Sequence, residues 1–247
     1  MLLPRLIISL LFFTCSVVLS SQTLPCECDT DCPDPINFNG CGSYQYLPSL
    51  WQNNGITSRK VVDVDLTGIP NKITGIEVEY CCRVRMGCPS FYTDPFGTDP
   101  IDVSCEMVIK CIKIPKEHLM GFITLGEPPP FWMSQELVRK TIEAMICANP
   151  CNMGFPATLG GKPYEWVITV PNCFVWNKEA NSHYCLEACS DKYCVTALMI
   201  GNEGNEPRLL QQKHTTWLDD RDGNAVELCY HPCRIFECTD YNLDCLE

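Results

Sequence analysis

The segment IEVEYCCRVRM, residues 76–86, alternates between two sets of side chains along its whole length. A period of two is typical of a β-strand whose successive residues point to opposite sides of a sheet. The predicted core side carries Ile76, Val78, Tyr80, Cys82, Val84 and Met86. The predicted solvent side carries Glu77, Glu79, Cys81, Arg83 and Arg85. Because Cys81 and Cys82 are adjacent, they should point to opposite faces and form disulfides with different partners.

Further strands are predicted on both sides of this segment. Residues 61–66 alternate, and residues 103–114 form a second long strand that should pair antiparallel with residues 76–86. Residues 164–170 and 173–176 are also strand-like, and residues 193–200 are apolar on both faces, as in a central strand. Residues 215–219 and 225–230 flank Asp222-Gly223, a dipeptide that favours a tight hairpin.

The sequence contains a single convincing helix, at residues 134–147. Three prolines precede it at 128–130, and Ser134 is the expected N-cap residue. An apolar stripe follows, formed by Leu137, Val138, Thr141, Ile142, Met145 and Ile146, whereas Glu136, Arg139, Lys140 and Glu143 should face water. Asn149-Pro150 should end the helix. The expected fold class is therefore α+β and β-rich, with disulfide-stapled antiparallel sheets and one amphipathic helix packed on a sheet.

Residues 1–20 have the pattern of a secretory signal peptide. Arg5 precedes an apolar run over residues 6–13, and small residues follow before Ser21. Cys15 raises the alternative of a lipid attachment site, although the residues before it suit that processing poorly. No later stretch is long enough to be predicted as a transmembrane segment. We therefore expect a secreted or cell-surface protein.

The remaining chain divides into three predicted regions. Residues 21–60 form an acidic, cysteine-rich segment, residues 61–170 a β-rich domain that includes the helix, and residues 171–247 a cysteine-rich β region. Without the leader there are 17 basic and 30 acidic residues, a net charge of −13. Such a charge and the absence of a Lys/Arg cluster argue against nucleic-acid binding.

Nineteen of the 20 cysteines follow the leader. In an exported protein, cysteines at this density indicate disulfide bonds rather than metal or redox chemistry. The candidates are Cys26, Cys28, Cys32, Cys41, Cys81, Cys82, Cys88, Cys105, Cys111, Cys147, Cys151, Cys173, Cys185, Cys189, Cys194, Cys229, Cys233, Cys238 and Cys245. Because nineteen is odd, at least one is either a buried, inert thiol or bonded to another molecule.

Six late cysteines form two matching triplets. Cys185-x3-Cys189-x4-Cys194 recurs 44 residues later as Cys229-x3-Cys233-x4-Cys238. The triplets indicate two duplicated, disulfide-linked β units. Their Cys-x3-Cys spacing and the neighbouring His183 and His231 leave zinc as an alternative, which an oxidising compartment disfavours.

No cofactor and no firm metal site are predicted. Asp29, Asp31 and Asp34 lie close enough together to be weak calcium candidates, but their spacing does not match an EF-hand loop.

No catalytic residue is predicted either. The chain lacks a Gly-x-Ser-x-Gly elbow, a phosphate-binding glycine loop and a His-Glu-x-x-His helix. We expect a non-enzymatic structural, adhesive or appendage subunit whose partner is another copy of itself, another surface protein or a glycan. The alternative is a secreted carbohydrate-binding module or carbohydrate-active hydrolase, in which Trp51, Trp132 or Trp176 would stack on sugars.

Overall fold

A computed structural model describes residues 56–69, 71–86, 103–119, 131–151, 163–178, 183–188, 192–203, 206–218 and 234–246. Within these ranges the strands are β1 (Ser58–Val64), β2 (Ile73–Met86), β3 (Val103–Pro115), β4 (Tyr164–Pro171), β5 (Cys173–Lys178), β6 (His183–Ala188), β7 (Lys192–Glu203), β8 (Glu206–Leu218) and β9 (Arg234–Ile235). The helices are α1 (Lys116–Leu119) and α2 (Phe131–Ala148), and a short 3-10 helix covers Asp244–Leu246. The protein is β-rich, as predicted.

Strand β3 is the centre of one nine-stranded mixed sheet. One of its edges pairs antiparallel with β2, which confirms the predicted pair, and β1 pairs with the far side of β2. Its other edge is shared, because residues 104–108 pair with β4 and residues 111–115 with β6. Beyond this edge of β3 the sheet therefore continues as two series of strands, one formed by β4, β7 and β8 and the other by β6, β5 and β9.

The prediction of antiparallel sheets holds for the other described strand pairs but not for β3 and β4, which run parallel, so the sheet is mixed. A parallel pair requires a long crossover connection, and the chain between β3 and β4 includes α2. Strand β7 pairs with both β4 and β8, which confirms it as an internal strand. Residues 215–218 belong to β8, whose partner is β7, and the predicted hairpin partner at 225–230 lies outside the described residues.

A bulge in β3 explains how one face of this strand remains apolar. Tyr80 pairs with Ile109 but Glu79 pairs with Cys111, so Lys110 is an extra residue. An inserted residue reverses which side chains face the core. The buried cluster accordingly contains Cys105, Met107 and Ile109 before the bulge and Ile112 and Ile114 after it.

Over residues 78–83, both faces of β2 are buried. Ile76, Val78, Tyr80 and Cys82 belong to the main hydrophobic cluster, as predicted. The prediction of a solvent side for Glu79, Cys81 and Arg83 was wrong, because these residues are 3%, 1% and 1% exposed. Over residues 78–83, the alternation of β2 therefore separates two buried environments rather than core from water.

Helix α2 begins at Phe131, three residues before the predicted N-cap. Ser134 consequently lies inside the helix, where its hydroxyl oxygen accepts a hydrogen bond from Trp176 Nε1 at 3.2 Å. The helix ends at Ala148, and Asn149 adopts a left-handed conformation with φ 41°. Asn149 N donates to the carbonyl of Ile146 at 3.0 Å, a common way to close a helix.

The predicted apolar stripe of α2 is buried. All of its members except Thr141 belong to the same hydrophobic cluster as residues of β1 to β7. Glu143 was predicted to face water but is only 5% exposed. Its carboxylate accepts a hydrogen bond from Asn242 N at 2.8 Å and lies 2.8 Å from Lys140 Nζ. The segment that follows β9 supplies the first of these partners.

The boundary predicted at residue 171 does not divide the core, because strands from both sides share one sheet and one hydrophobic cluster. In the part of the chain that the structure describes, no helix is both long and apolar enough to span a bilayer.

Candidate functional site

Within the described ranges, three disulfides with both cysteines placed connect segments that are far apart in the sequence. Cys82 in β2 is bonded to Cys151 just beyond α2, with 69 residues of separation. Cys147 in the last turn of α2 is bonded to Cys245 across 98 residues. Cys194 in β7 is bonded to Cys238 across 44 residues, so the last cysteines of the two triplets pair with each other. The first of these bonds links the end of α2 to the sheet.

Four more of the predicted cysteines are disulfide-bonded, namely Cys81, Cys111, Cys173 and Cys185. Eight candidates lie outside the described residues: Cys26, Cys28, Cys32, Cys41, Cys88, Cys189, Cys229 and Cys233. The weak calcium candidates Asp29, Asp31 and Asp34 lie there too, as does His231.

Cys105 is a buried free thiol, so its prediction as a disulfide cysteine was wrong. Its position in the sheet gives the reason, because Val84 of β2 and Trp166 of β4 are the residues opposite it. Burial raises the pKa of the Cys105 thiol to about 11. A thiol that remains protonated at neutral pH is a poor nucleophile and a poor metal ligand.

The most buried charged side chains form an ion pair between β2 and β3. Arg83 Nε donates to Glu106 Oε2 at 2.6 Å, and the two side chains are 1% and 0% exposed. Thr169 Oγ1 of β4 donates to the second oxygen of Glu106 at 3.4 Å. Sequence reasoning missed this network, and the available signal was a single acidic residue within the apolar strand of residues 103–114.

A second charged cluster lies where β1, β2 and β3 are side by side. Arg59 Nε lies 3.2 Å from Glu79 Oε1, and Lys113 Nζ lies 2.7 Å from the same oxygen. Glu77 is also within 4 Å of both basic side chains. The carboxylate of Glu79 is nearly buried, so these two cations compensate the charge of an acid that has lost most of its water.

A polar surface groove of about 420 Å³ runs beside the first turns of α2. The groove is lined by Thr67, by Gln135, Glu136 and Arg139 of the helix, and by Glu237 and Thr239. Two hydrogen bonds hold its walls together. Thr67 N donates to Glu136 Oε1 at 2.8 Å, and Glu237 N donates to Gln135 Oε1 at 3.2 Å.

The groove presents hydroxyl, amide, carboxylate and guanidinium groups to solvent. Such a mixture can donate and accept hydrogen bonds with a polar, hydroxyl-bearing ligand. Thr67, Gln135 and Glu237 were not identified from the sequence, because they come together only when three distant segments meet. Glu136 and Arg139 were predicted to face water, and both are partly exposed.

The described histidines are accounted for by ordinary contacts. His118 Nε2 and Thr74 Oγ1 are hydrogen-bonded at 3.2 Å, and His214 Nδ1 lies 3.3 Å from an oxygen of Asp240. His183 begins β6 opposite Pro115. A search of the described residues finds no group of three or more His, Cys, Asp or Glu side chains able to hold a metal ion.

Trp176, one of the tryptophans considered for sugar stacking, is only partly exposed. Its indole donates to Ser134, and its ring lies edge-on to Tyr184 with a centroid separation of 6.3 Å. Trp51 lies outside the described residues, and the side chain of Trp132 is likewise outside them.

No protein-family model, curated protein or solved structure matches this chain.

Proposed function

We propose that this protein is exported and acts outside the cell, or at its surface, as a non-enzymatic structural, adhesive or appendage subunit. The observation that carries the proposal is the set of three disulfides across 69, 98 and 44 residues. Bonds of this kind form and persist in oxidising compartments. The leader at residues 1–20 offers a route to such a compartment.

The placement of the buried charged side chains and of the buried thiol supports a structural role. Arg83 and Glu106 are directed at each other inside the protein rather than at a cavity that could admit a substrate. The free thiol of Cys105 is buried and protonated at neutral pH, because burial raises its pKa to about 11. These groups contribute to the fold, and neither is placed for chemistry on a ligand.

The proposal includes a bracing role for α2 on one face of the sheet. Its buried residues share a hydrophobic cluster with residues of seven strands, β1 to β7, and two disulfides hold its C-terminal end, one at Cys147 and one at Cys151 just beyond it. A helix held in this way would stiffen the sheet behind it, which suits a subunit that bears load outside the cell.

The proposed partner is a second copy of the chain, at the edges of the sheet. Strand β1 pairs with β2 and strand β8 with β7, and neither has a second partner strand among the described residues. Val61 on β1 is 58% exposed and Leu210 on β8 is 50% exposed. Exposed apolar residues on an edge strand favour association with another strand.

The test is size-exclusion chromatography with light scattering on protein secreted from an oxidising host. The proposal predicts multimers for wild type and monomers for the Val61→Lys/Leu210→Lys variant. Glu117→Lys changes an exposed residue away from both edges and serves as the control. A wild-type protein that remains monomeric at high concentration would contradict self-assembly, and a protein retained in the cytosol would contradict export.

A second candidate function is glycan binding in the polar groove. The observation that favours it is the wall of Gln135, Glu136, Glu237 and Thr239, since sugar hydroxyls need both donors and acceptors. Screening against soluble oligosaccharides should then give binding that Glu237→Gln/Thr239→Ala abolishes. Glu117→Gln, an exposed change outside the groove, should leave it intact. Absence of binding to every oligosaccharide would reject this candidate.

A further inference from the structure

The disulfide between Cys147 and Cys245 is distinguished by its exposure. Both of its residues lie at the surface. Cys82 and Cys151 are 3% and 0% exposed, and Cys194 is 1% exposed. Its partner Cys238 is half-buried. Because a thiolate must reach a sulfur atom to reduce a disulfide, access strongly affects the rate of exchange. The Cys147–Cys245 bond is therefore the one of the three that an external thiol meets first.

This bond holds the last described segment of the chain, which we call the C-terminal strap (residues 239–246). The other contacts of the strap join it to β8 and α2, and Asp240 of the strap lies 3.3 Å from His214 of β8. Tyr241 exchanges two hydrogen bonds with Gln212 of β8, at 2.7 and 3.0 Å, and Asn242 N donates to Glu143. Its buried side chains are Tyr241, Leu243 and Leu246. At its start, the strap follows directly on Cys238, which remains bonded to Cys194.

We propose that the Cys147–Cys245 bond is a redox modification site for external dithiols, and that its reduction releases the C-terminal strap from α2. A thiolate of the dithiol attacks one sulfur, forms a mixed disulfide and expels the other cysteine as a thiolate. The second thiol of the reagent then displaces the remaining cysteine. In balance, the reagent is oxidised to a disulfide, and two electrons and two protons pass to Cys147 and Cys245.

The release remains local because of where the other bonds lie. The Cys194–Cys238 bond retains the chain up to residue 238 on β7, and the Cys82–Cys151 bond retains the end of α2 on β2. Reduction therefore frees only the strap, which exposes Glu143 and removes Thr239 from the wall of the polar groove. The proposal does not rest on assembly through the sheet edges, although the strap also contacts β8 through Gln212.

The experiment is a titration of native, secreted protein with dithiothreitol, followed by alkylation and mass spectrometry. Cys147 and Cys245 should become labelled at a reductant concentration at least about tenfold below that needed for the Cys82–Cys151 and Cys194–Cys238 bonds, because access separates their rates. In this partly reduced state, amide hydrogen exchange in the strap should accelerate at least about tenfold, while β3, β4 and β7 keep their protection. Reoxidation should restore the original exchange.

The Cys147→Ser/Cys245→Ser variant provides a second test of the proposal. It should lack the first labelling step and show fast exchange in the strap without reductant, whereas Cys82→Ser/Cys151→Ser should keep that step. If the Cys147→Ser/Cys245→Ser variant is not secreted, the stepwise labelling of the wild-type protein tests the proposal by itself. Simultaneous reduction of all three bonds, earlier reduction of a buried bond, or an unchanged strap after selective reduction would each overturn the proposal.

Discussion

The buried pair of Arg83 and Glu106 allows a sharp test of how charge is accommodated in this fold. Replacing Arg83 with Met leaves the carboxylate of Glu106, which is 0% exposed, without its main cation. Replacing Glu106 with Leu leaves the guanidinium without its anion. At a charge separation of about 4 Å and an effective dielectric constant of about 20, the lost attraction is about 4 kcal/mol. Breaking a buried pair typically destabilises a protein by about 3–5 kcal/mol.

The double variant Arg83→Met/Glu106→Leu should behave differently. It removes both charges together and fills a similar volume with apolar atoms, a replacement that is often neutral or stabilising. Thr169 loses its acceptor, which costs about 1 kcal/mol. We therefore expect the double variant to lie within about 2 kcal/mol of wild type and to be more stable than either single variant.

The assay is guanidinium unfolding of secreted, non-reduced protein, followed by tryptophan fluorescence and analysed as a double-mutant cycle. Arg59→Met is the control, because Arg59 is 64% exposed and Lys113 remains 2.7 Å from the carboxylate of Glu79 when Arg59 is removed. That change should cost less than about 1 kcal/mol. Single variants within 1 kcal/mol of wild type, or a double variant as unstable as the sum of the singles, would refute the reasoning.

Two further predictions concern the core and the free thiol. Ile142→Asp should prevent secretion of folded protein because it places an unpaired charge in a fully buried position, whereas Val61→Asp, at a 58% exposed position, should be secreted normally. Burial raises the pKa of Cys105 to about 11, and an unfolded thiol titrates near about 8.5. Below about pH 8.5 the protonated thiol therefore contributes its full stabilisation to the free energy of unfolding. This stabilisation is lost as the pH rises towards 11, at about 1.4 kcal/mol per pH unit. Cys105→Ala should remove this pH dependence from the measured free energy of unfolding. Without reductant, iodoacetamide should not label Cys105 at pH 7, and labelling at that pH in the folded protein would show that the thiol is accessible.

The odd number of cysteines is consistent with the free thiol. Of the 20 cysteines, Cys15 lies in the predicted leader and Cys105 is buried and free, which leaves 18, an even number. A free thiol that is only 8% exposed is not placed to form an intermolecular bridge. This favours strand pairing over a Cys105-linked multimer as the mode of assembly.

Local patterns in the sequence were sufficient to predict most strands and the helix. The alternation of residues 76–86 predicted β2, and the spacing of Leu137, Val138 and Ile142 predicted the buried side of α2. Both patterns arise from backbone geometry within one element, so they are visible without knowledge of the rest of the chain. The cysteine count likewise predicted a disulfide-rich protein.

Tertiary structure alone decided which groups meet. The bulge at Lys110, the parallel pairing of β3 with β4 and the placement of Val84 and Trp166 opposite Cys105 depend on residues that are tens of positions apart. The same holds for Arg83, which local alternation placed in water and the fold placed against Glu106. A repeating pattern records which side chains share a face, whereas the partner of that face is set by the packing of the whole chain.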